Sequence, residues 1–244
     1  GGLVVHTTAG TSALVLAFLL GARKEFPTEL RPPHNPGLSM IGAAMLWVGW
    51  FGFNAGSALA ADTSAGMAML VTHISASTAS LVWVVIEWVK FGKPSLVGVI
   101  TGMVAGLATI TPASGFVGPL GGLCIGLAGG LICYWAVGLV KSRWNIDDSL
   151  DVFAVHGIGG MLGTMMTAAF AVTALGGGGL AEGVGMGQQL GIQATGVIAV
   201  FVWSAVATFV IVKVTAAVVG LRVSDDDITQ GLDVTAHGES GYTL

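Results

Sequence analysis

The sequence predicts an all-α polytopic membrane protein, with about seven spanning helices in residues 1–222 and a polar tail over residues 223–244. Hydrophobic residues make up 54% of the 244-residue chain and charged residues only 9%, a balance foreign to soluble domains. The apolar residues gather into runs near the ~20 residues that a helix needs to cross a bilayer. Between those runs, basic and non-basic loops alternate along the chain.

Taken in order, the runs cover roughly 1–21, 38–61, 66–89, 95–112, 118–140, 152–175 and 191–220. The last, about thirty residues long, must tilt or project beyond the hydrocarbon. Arg23, Lys24 and Arg31 follow the first run, Lys90 and Lys93 the third, Lys141 and Arg143 the fifth, and Arg222 the last. The loops around Asp62, over 111–119 and over 176–190 carry no Lys or Arg. Basic loops stay on the cytoplasmic side. The pattern therefore predicts a multi-pass protein of the cell (plasma or inner) membrane, with the N-terminus of this chain outside. The tail, with Asp225, Asp226, Asp227, Asp233 and Glu239, is then cytoplasmic.

A net charge of −4 leaves no basic face for nucleic acid. Cys124 and Cys133 share one run at a spacing that puts them on opposite helix sides, roughly 13 Å apart, so they cannot pair. The opening GGLVVH has no basic n-region and no cleavage site, so it reads as a chain cut inside a helix and not as a signal peptide. Among the 39 glycines, the spacings Gly98, Gly102, Gly106 and Gly122, Gly126, Gly130 predict faces where helices approach closely. The run Gly176–Gly179 reads as a flexible linker, since no phosphate-loop context surrounds it.

Ionisable groups inside spans are costly and face a cavity or one another, which makes each a candidate. Here they are His6, His73, Glu87, His156 and Lys213. Glu87 and Lys213 lie close enough to span ends for their side chains to reach the headgroups. His73, among Thr72, Ser75, Ser77 and Thr78, is expected to hydrogen-bond a neighbouring helix. His6 in VVHTTAG and His156 in AVHGIGG begin spans that enter from opposite sides, so their rings can meet near mid-membrane. A neutral imidazole donates at one nitrogen and accepts at the other, and a pair can share one proton in a relay or a dry pore. Two separately satisfied core histidines fit the same spacing. In GWFGFNAGS, Trp50, Phe53 and Ser57 fall on one helix face, with Ser57 nearest the outer surface. Aromatic faces attract cations and a hydroxyl accepts from N–H groups, so the stripe suits a small N–H cation at an outer vestibule. Ordinary packing produces such a stripe as well.

The stretches GGLVVHTTAG, PHNPGLSMIGAAMLWVGWFGFNAGS, TPASGFVGPLGG, DDSLDVFAVHGIGGMLGTMMTAAFA and GLDVTAHGESGY together resemble the ammonium transporter family (Amt, Mep and Rh proteins). The resemblance covers the whole chain. It implies that His6 and His156 are the twin pore histidines, Phe53 the inner phenylalanine of the gate and Trp50 a pore-lining tryptophan. Ser57, with Trp50 and Phe53, would bind ammonium at the outer site. Asp151 would start the helix carrying the second histidine and cap its first N–H groups, and Asp148 would be a structural neighbour. The family fold is an eleven-helix inverted repeat assembled as homotrimers, of which this chain matches spans five to eleven. The same resemblance implies ammonium or ammonia as the solute, methylammonium as its analogue and a PII-type cytoplasmic signal protein as a partner. No enzyme activity, cofactor or metal is implied.

A permanent charge in the bilayer centre is costly and neutral ammonia is not. The expected pathway recruits ammonium outside, removes its proton near Phe53 and passes ammonia by the histidines. Two alternatives share these features: an ammonium sensor, and a seven-helix retinal receptor with Lys213 in its last span. The retinal reading lacks a buried carboxylate as counter-ion and places the lysine near a membrane face.

Overall fold

The helices begin where short polar side chains accept the first free backbone N–H groups. Asn35 accepts from Leu38 ahead of α2, Pro36–Ala55, whose first residue is the proline expected at that position. Asp62 accepts from Ala65 at the start of α3, Thr63–Phe91, and Ser95 from Gly98 at the start of α4, Leu96–Ile110. In this computed structural model, which describes residues 1–28 and 32–242, the remaining long helices are α1, Gly2–Leu20, α5, Pro119–Gly138, α6, Gly159–Phe170, and α7, Met186–Val219. Arg31, expected among the first basic loop residues, lies outside the described residues.

Each expected apolar run overlaps one of these helices, with instructive differences in length. Helix α4 has only 15 residues, about 22 Å, and then turns through residues 111–116. It ends where Pro112 lacks an N–H to continue the helix, and nine of its residues are buried. The other six stretches are long and apolar enough to cross a membrane, which makes this a multi-pass membrane protein. Helix α6 ends at Phe170, earlier than expected, and is preceded by a wide π-type turn, Phe153–Ile158, around His156. Helix α7 starts at Met186, before the expected 191, and its 34 residues span about 51 Å, so it must tilt.

The two glycine ladders are packing faces, and both press on α3. Running antiparallel to it, Gly98, Gly102 and Gly106 of α4 meet Glu87, Trp83 and Ser75 with Ala76. Running parallel, Gly122, Gly126 and Gly130 of α5 meet Val71, Ser75 and Ala79 with Val82. A Cβ on Gly126 would lie 2.6 Å from Ser75 O, so backbones this close exclude side chains. Helix α7 touches chiefly α1 and α6. Two hydroxyl pairs set one turn apart, Thr8–Ser204 at 3.1 Å and Ser12–Thr208 at 2.8 Å, fix its register on α1. Its outer face, with Trp203 and Val218, is three-quarters exposed, as lipid-facing surface would be.

The basic loops share one end of the bundle. There Arg23 forms a two-pronged ion pair with Asp147 at 2.7 and 2.8 Å, Lys24 pairs with Asp225 at 2.9 Å, and Arg222 donates to Leu20 O. The tail is not unstructured. It forms two short helices, α8, Asp225–Gln230, and α9, Leu232–His237, and Tyr242 folds back onto His34 and Asn35. At the opposite end, the expected flexible linker Gly176–Gly179 is pinned by backbone bonds from Gly177 N to Val172 O, Gly178 N to Phe116 O and Gly179 N to Ala171 O. Glycine is needed there because Gly177 sits directly on the Ala171 backbone.

Candidate transport site

Two spans that start at opposite ends carry the two histidines to one depth, where their Nδ1 atoms lie 3.1 Å apart with ring centroids at 5.2 Å. The approach depends on small neighbours. Gly10 of α1 packs directly on the Gly157 backbone, and a Cβ on Gly160 would stand 2.5 Å from the His6 Cβ. The wide turn Phe153–Ile158 adds a residue per turn and swings His156 towards α1, a distortion common at functional positions. His6 is buried, and its Nε2 has no hydrogen-bond partner among the described residues.

Trp50 lies parallel to His6, at 5.4 Å between centroids and 6° between planes, and also faces His156 at 6.4 Å. Its indole N–H donates to Thr111 Oγ1 at 2.8 Å, and the Thr111 hydroxyl donates in turn to Leu107 O at 2.7 Å. Phe53, one turn further along α2, meets both His6 and Trp50 edge-on at 6.3 and 5.8 Å. The next residue, Asn54, turns its amide to Thr72 Oγ1, donating at 2.9 Å, and so ties α2 to α3.

Cavities approach this cluster from both ends. One, of about 390 Å³ at the end away from the basic loops, is lined by Phe53, Ser57, Ser64, Thr111 and Ser114. The other, of about 680 Å³, opens among the basic loops, with Arg23, Lys141 and Asp151 on its wall and His156 at its inner limit. No group of three or more His, Cys, Asp or Glu side chains among the described residues is placed to hold a metal ion.

The structure brings His6, His156, Trp50 and Phe53 together and divides the rest. Trp50 stacks on the histidines and meets Phe53, which lines the Ser57 cavity. Ser57 is exposed on that cavity and donates to Phe53 O at 2.7 Å, which leaves its oxygen lone pairs available. The expected cap at the start of the His156 helix is supplied by Asp148, whose carboxylate accepts from Phe153 N at 2.7 Å. Asp151 instead turns its carboxylate to Lys141 at 2.8 Å because its backbone is left-handed, at φ 58°.

Outside the cluster, Glu87 reaches the end of its span, where it meets the start of α4. It accepts from Ser95 N and Ser95 Oγ, at 2.6 and 3.1 Å, and completes the start of α4. His73 stacks on Trp47 at 5.2 Å where a hydrogen bond to a neighbouring helix was expected, and Lys213 lies over the Phe209 ring at 5.5 Å. Thr111, Asn54 and Lys141 escape sequence reading because hydroxyls, amides and loop lysines are common. Only the TPASG turn beside Thr111 offers a signal.

The chain is thus a helical membrane protein with a buried imidazole and aromatic cluster, approached by a cavity from each end. The chain belongs to the Ammonium Transporter Family, whose sequence profile matches residues 1–242. It is 48% identical to an ammonium transporter of Aquifex aeolicus over all of this chain and 56% of that one. It is 41% identical to an ammonium transporter of Bacillus subtilis over 99% of this chain and 60% of that protein. The chain thus spans little more than half the length of the curated relatives it matches. Among solved structures, a Sensor Amt Protein superposes with a TM-score of 0.87 at 33% identity, covering 96% of this chain and 58% of its own. Saccharomyces cerevisiae Mep2 gives 0.81 at 34%, covering 93% and 54%. The relatives are transporters, not enzymes.

Proposed function

We propose that these residues form one side of an ammonium pathway through the cell membrane. The observation that carries the reading is the His6–His156 contact at 3.1 Å, roofed by Trp50 and flanked by cavities at both ends. The basic end is cytoplasmic, by the rule that Lys and Arg loops stay inside. Ammonium enters from the outer cavity, where the Ser57 oxygen can accept an N–H and the exposed Phe53 ring can face a cation. Burial beyond Phe53 favours the neutral form, so ammonium gives one proton to the outer water or to the imidazole pair, and ammonia continues past His6 and His156. Neutral imidazoles supply one donor and one acceptor between them without adding a charge. Asp148 holds the start of the His156 segment, and Asp151 lies on the inner wall. Residues 1–222 act as the transport domain and residues 223–244 as its cytoplasmic appendage, within a homotrimer, with a PII-type protein as a partner at the inner mouth.

Methylammonium uptake and ammonium-dependent current in liposomes test this reading on the complete gene product and on His156→Ala. Loss of uptake is expected. Unchanged uptake and current would remove the histidines from the mechanism, and current in the parent protein distinguishes proton conduction from ammonia passage. A second reading, ammonium sensing, is favoured by the match to a Sensor Amt Protein. Methylammonium binding without accumulation would select it.

A further inference from the structure

The wall of the basic-end cavity contains a charge arrangement that the pathway does not use. Its charged lining among the described residues is Arg23, Lys141 and Asp151. Arg23 is held by Asp147. Lys141 Nζ lies 2.8 Å from Asp151 Oδ1, with only 20% and 17% of the two side chains exposed. Val97, Ile100, Val104 and Val155 make the wall between this pair and His156 largely apolar. The Asp151 backbone is held in place: its amide donates to Asp148 O at 3.1 Å, its carbonyl accepts from Val155 N at 2.8 Å, and the left-handed backbone sets the direction of its Cα–Cβ bond. The helix start does not require its charge, since Asp148 provides the cap.

A lone carboxylate in a half-dry cavity would hold an ammonium ion by charge-assisted hydrogen bonds. The side chain of Lys141 ends in an alkylammonium, the same donor chemistry on a tether. We propose that Lys141 is a release residue. It occupies the Asp151 carboxylate as a tethered analogue of the solute and denies free ammonium a resting place between the histidines and the inner mouth. This rests on reading the cavity as the exit of an ammonium pathway. Asp151 is then a positioning group for Lys141 and not a cation site.

Calorimetric titration of the complete purified protein with methylammonium tests the proposal, alongside uptake into liposomes preloaded with ammonium. The variants are Lys141→Met, Lys141→Gln, Lys141→Arg and the double variant Lys141→Met with Asp151→Asn. Both uncharged single variants should gain a methylammonium site. Their uptake should become about tenfold more sensitive to internal ammonium, the scale of one charge-assisted hydrogen bond. Lys141→Arg should behave as the parent, and the double variant should lose the added site and the added sensitivity. An uncharged variant that folds and gains no site would overturn the proposal, as would an added site that survives Asp151→Asn. Lys141→Gln removes the charge while keeping a polar end in the half-buried cavity, and so decides the matter even where the methionine variant fails to fold. A parent protein without uptake would sink the transport reading, while the calorimetric comparison would still judge Lys141.

Discussion

Thr111→Val isolates the one polar anchor of the tryptophan that covers the histidine pair. In the native chain the Trp50 indole N–H donates to Thr111 Oγ1 at 2.8 Å, and the two residues are 7% and 9% exposed. Valine preserves the shape and removes the acceptor, leaving a buried indole N–H unpaired at a cost of about 1–3 kcal/mol. Roughly 2–4 °C of thermal midpoint is lost per kcal/mol in a chain of this length. Uptake of methylammonium should also fall, because the ring loses the bond that keeps it parallel to His6. A double-mutant cycle with Trp50→Phe separates anchoring from general packing. Phenylalanine has no N–H to orphan, so Thr111→Val should cost less than half as much in that background. Equal midpoint shifts in the two backgrounds would refute the anchoring argument.

Other outcomes follow from single contacts. Gly126→Ala forces a methyl against the Ser75 backbone and should cost about 1–3 kcal/mol by overpacking, whereas Gly66→Ala, which meets open space within α3, should hold or raise the thermal midpoint. Asp148→Ala removes the acceptor for Phe153 N and should destabilise by about 1 kcal/mol, the usual scale of a lost cap, with faster hydrogen exchange at Phe153 as the readout. The Arg23 guanidinium holds the Asp147 carboxyl below its ordinary range. That contribution is present above the ordinary carboxylate pKa and is lost as pH falls through the lowered value. Protection of the Arg23 amide, which donates to Asp147 Oδ2 at 2.9 Å, should therefore survive mild acid in the parent and be absent at every pH in Asp147→Ala.

Much of the architecture could be read along the chain because lipid imposes a one-dimensional constraint. A spanning segment must be apolar over its length, so composition alone marks it, and loop charge marks which ends lie together. The shared basic end, with its Arg23–Asp147 and Lys24–Asp225 pairs, matches that alternation. The glycine ladders were legible for a related reason, since only backbone contact makes a side chain intolerable every fourth residue. His6 and His156 stood out because an imidazole in an apolar run needs a partner, and the opposite directions of their spans limited where that partner could be.

What remained hidden was the choice between near neighbours. The segment NIDDSLDV offers three carboxylates, and nothing in their order distinguishes a cap from an ion pair. Asp148 caps, Asp147 meets Arg23 and Asp151 meets Lys141, because a left-handed residue at 151 redirects the last carboxylate. Helical spacing likewise put Trp50 on one face with Phe53, but not its bond to Thr111, 61 positions away in sequence, nor its stacking on His6. The sequence by itself determined which segments cross the bilayer, which ends they share and which imidazoles had to be reconciled with lipid, because transfer from water is set residue by residue. Only the tertiary structure decided which polar group answers which. Hydrogen bonds and ion pairs act over about 3 Å, and distances of that order between remote residues exist only once the helices have packed.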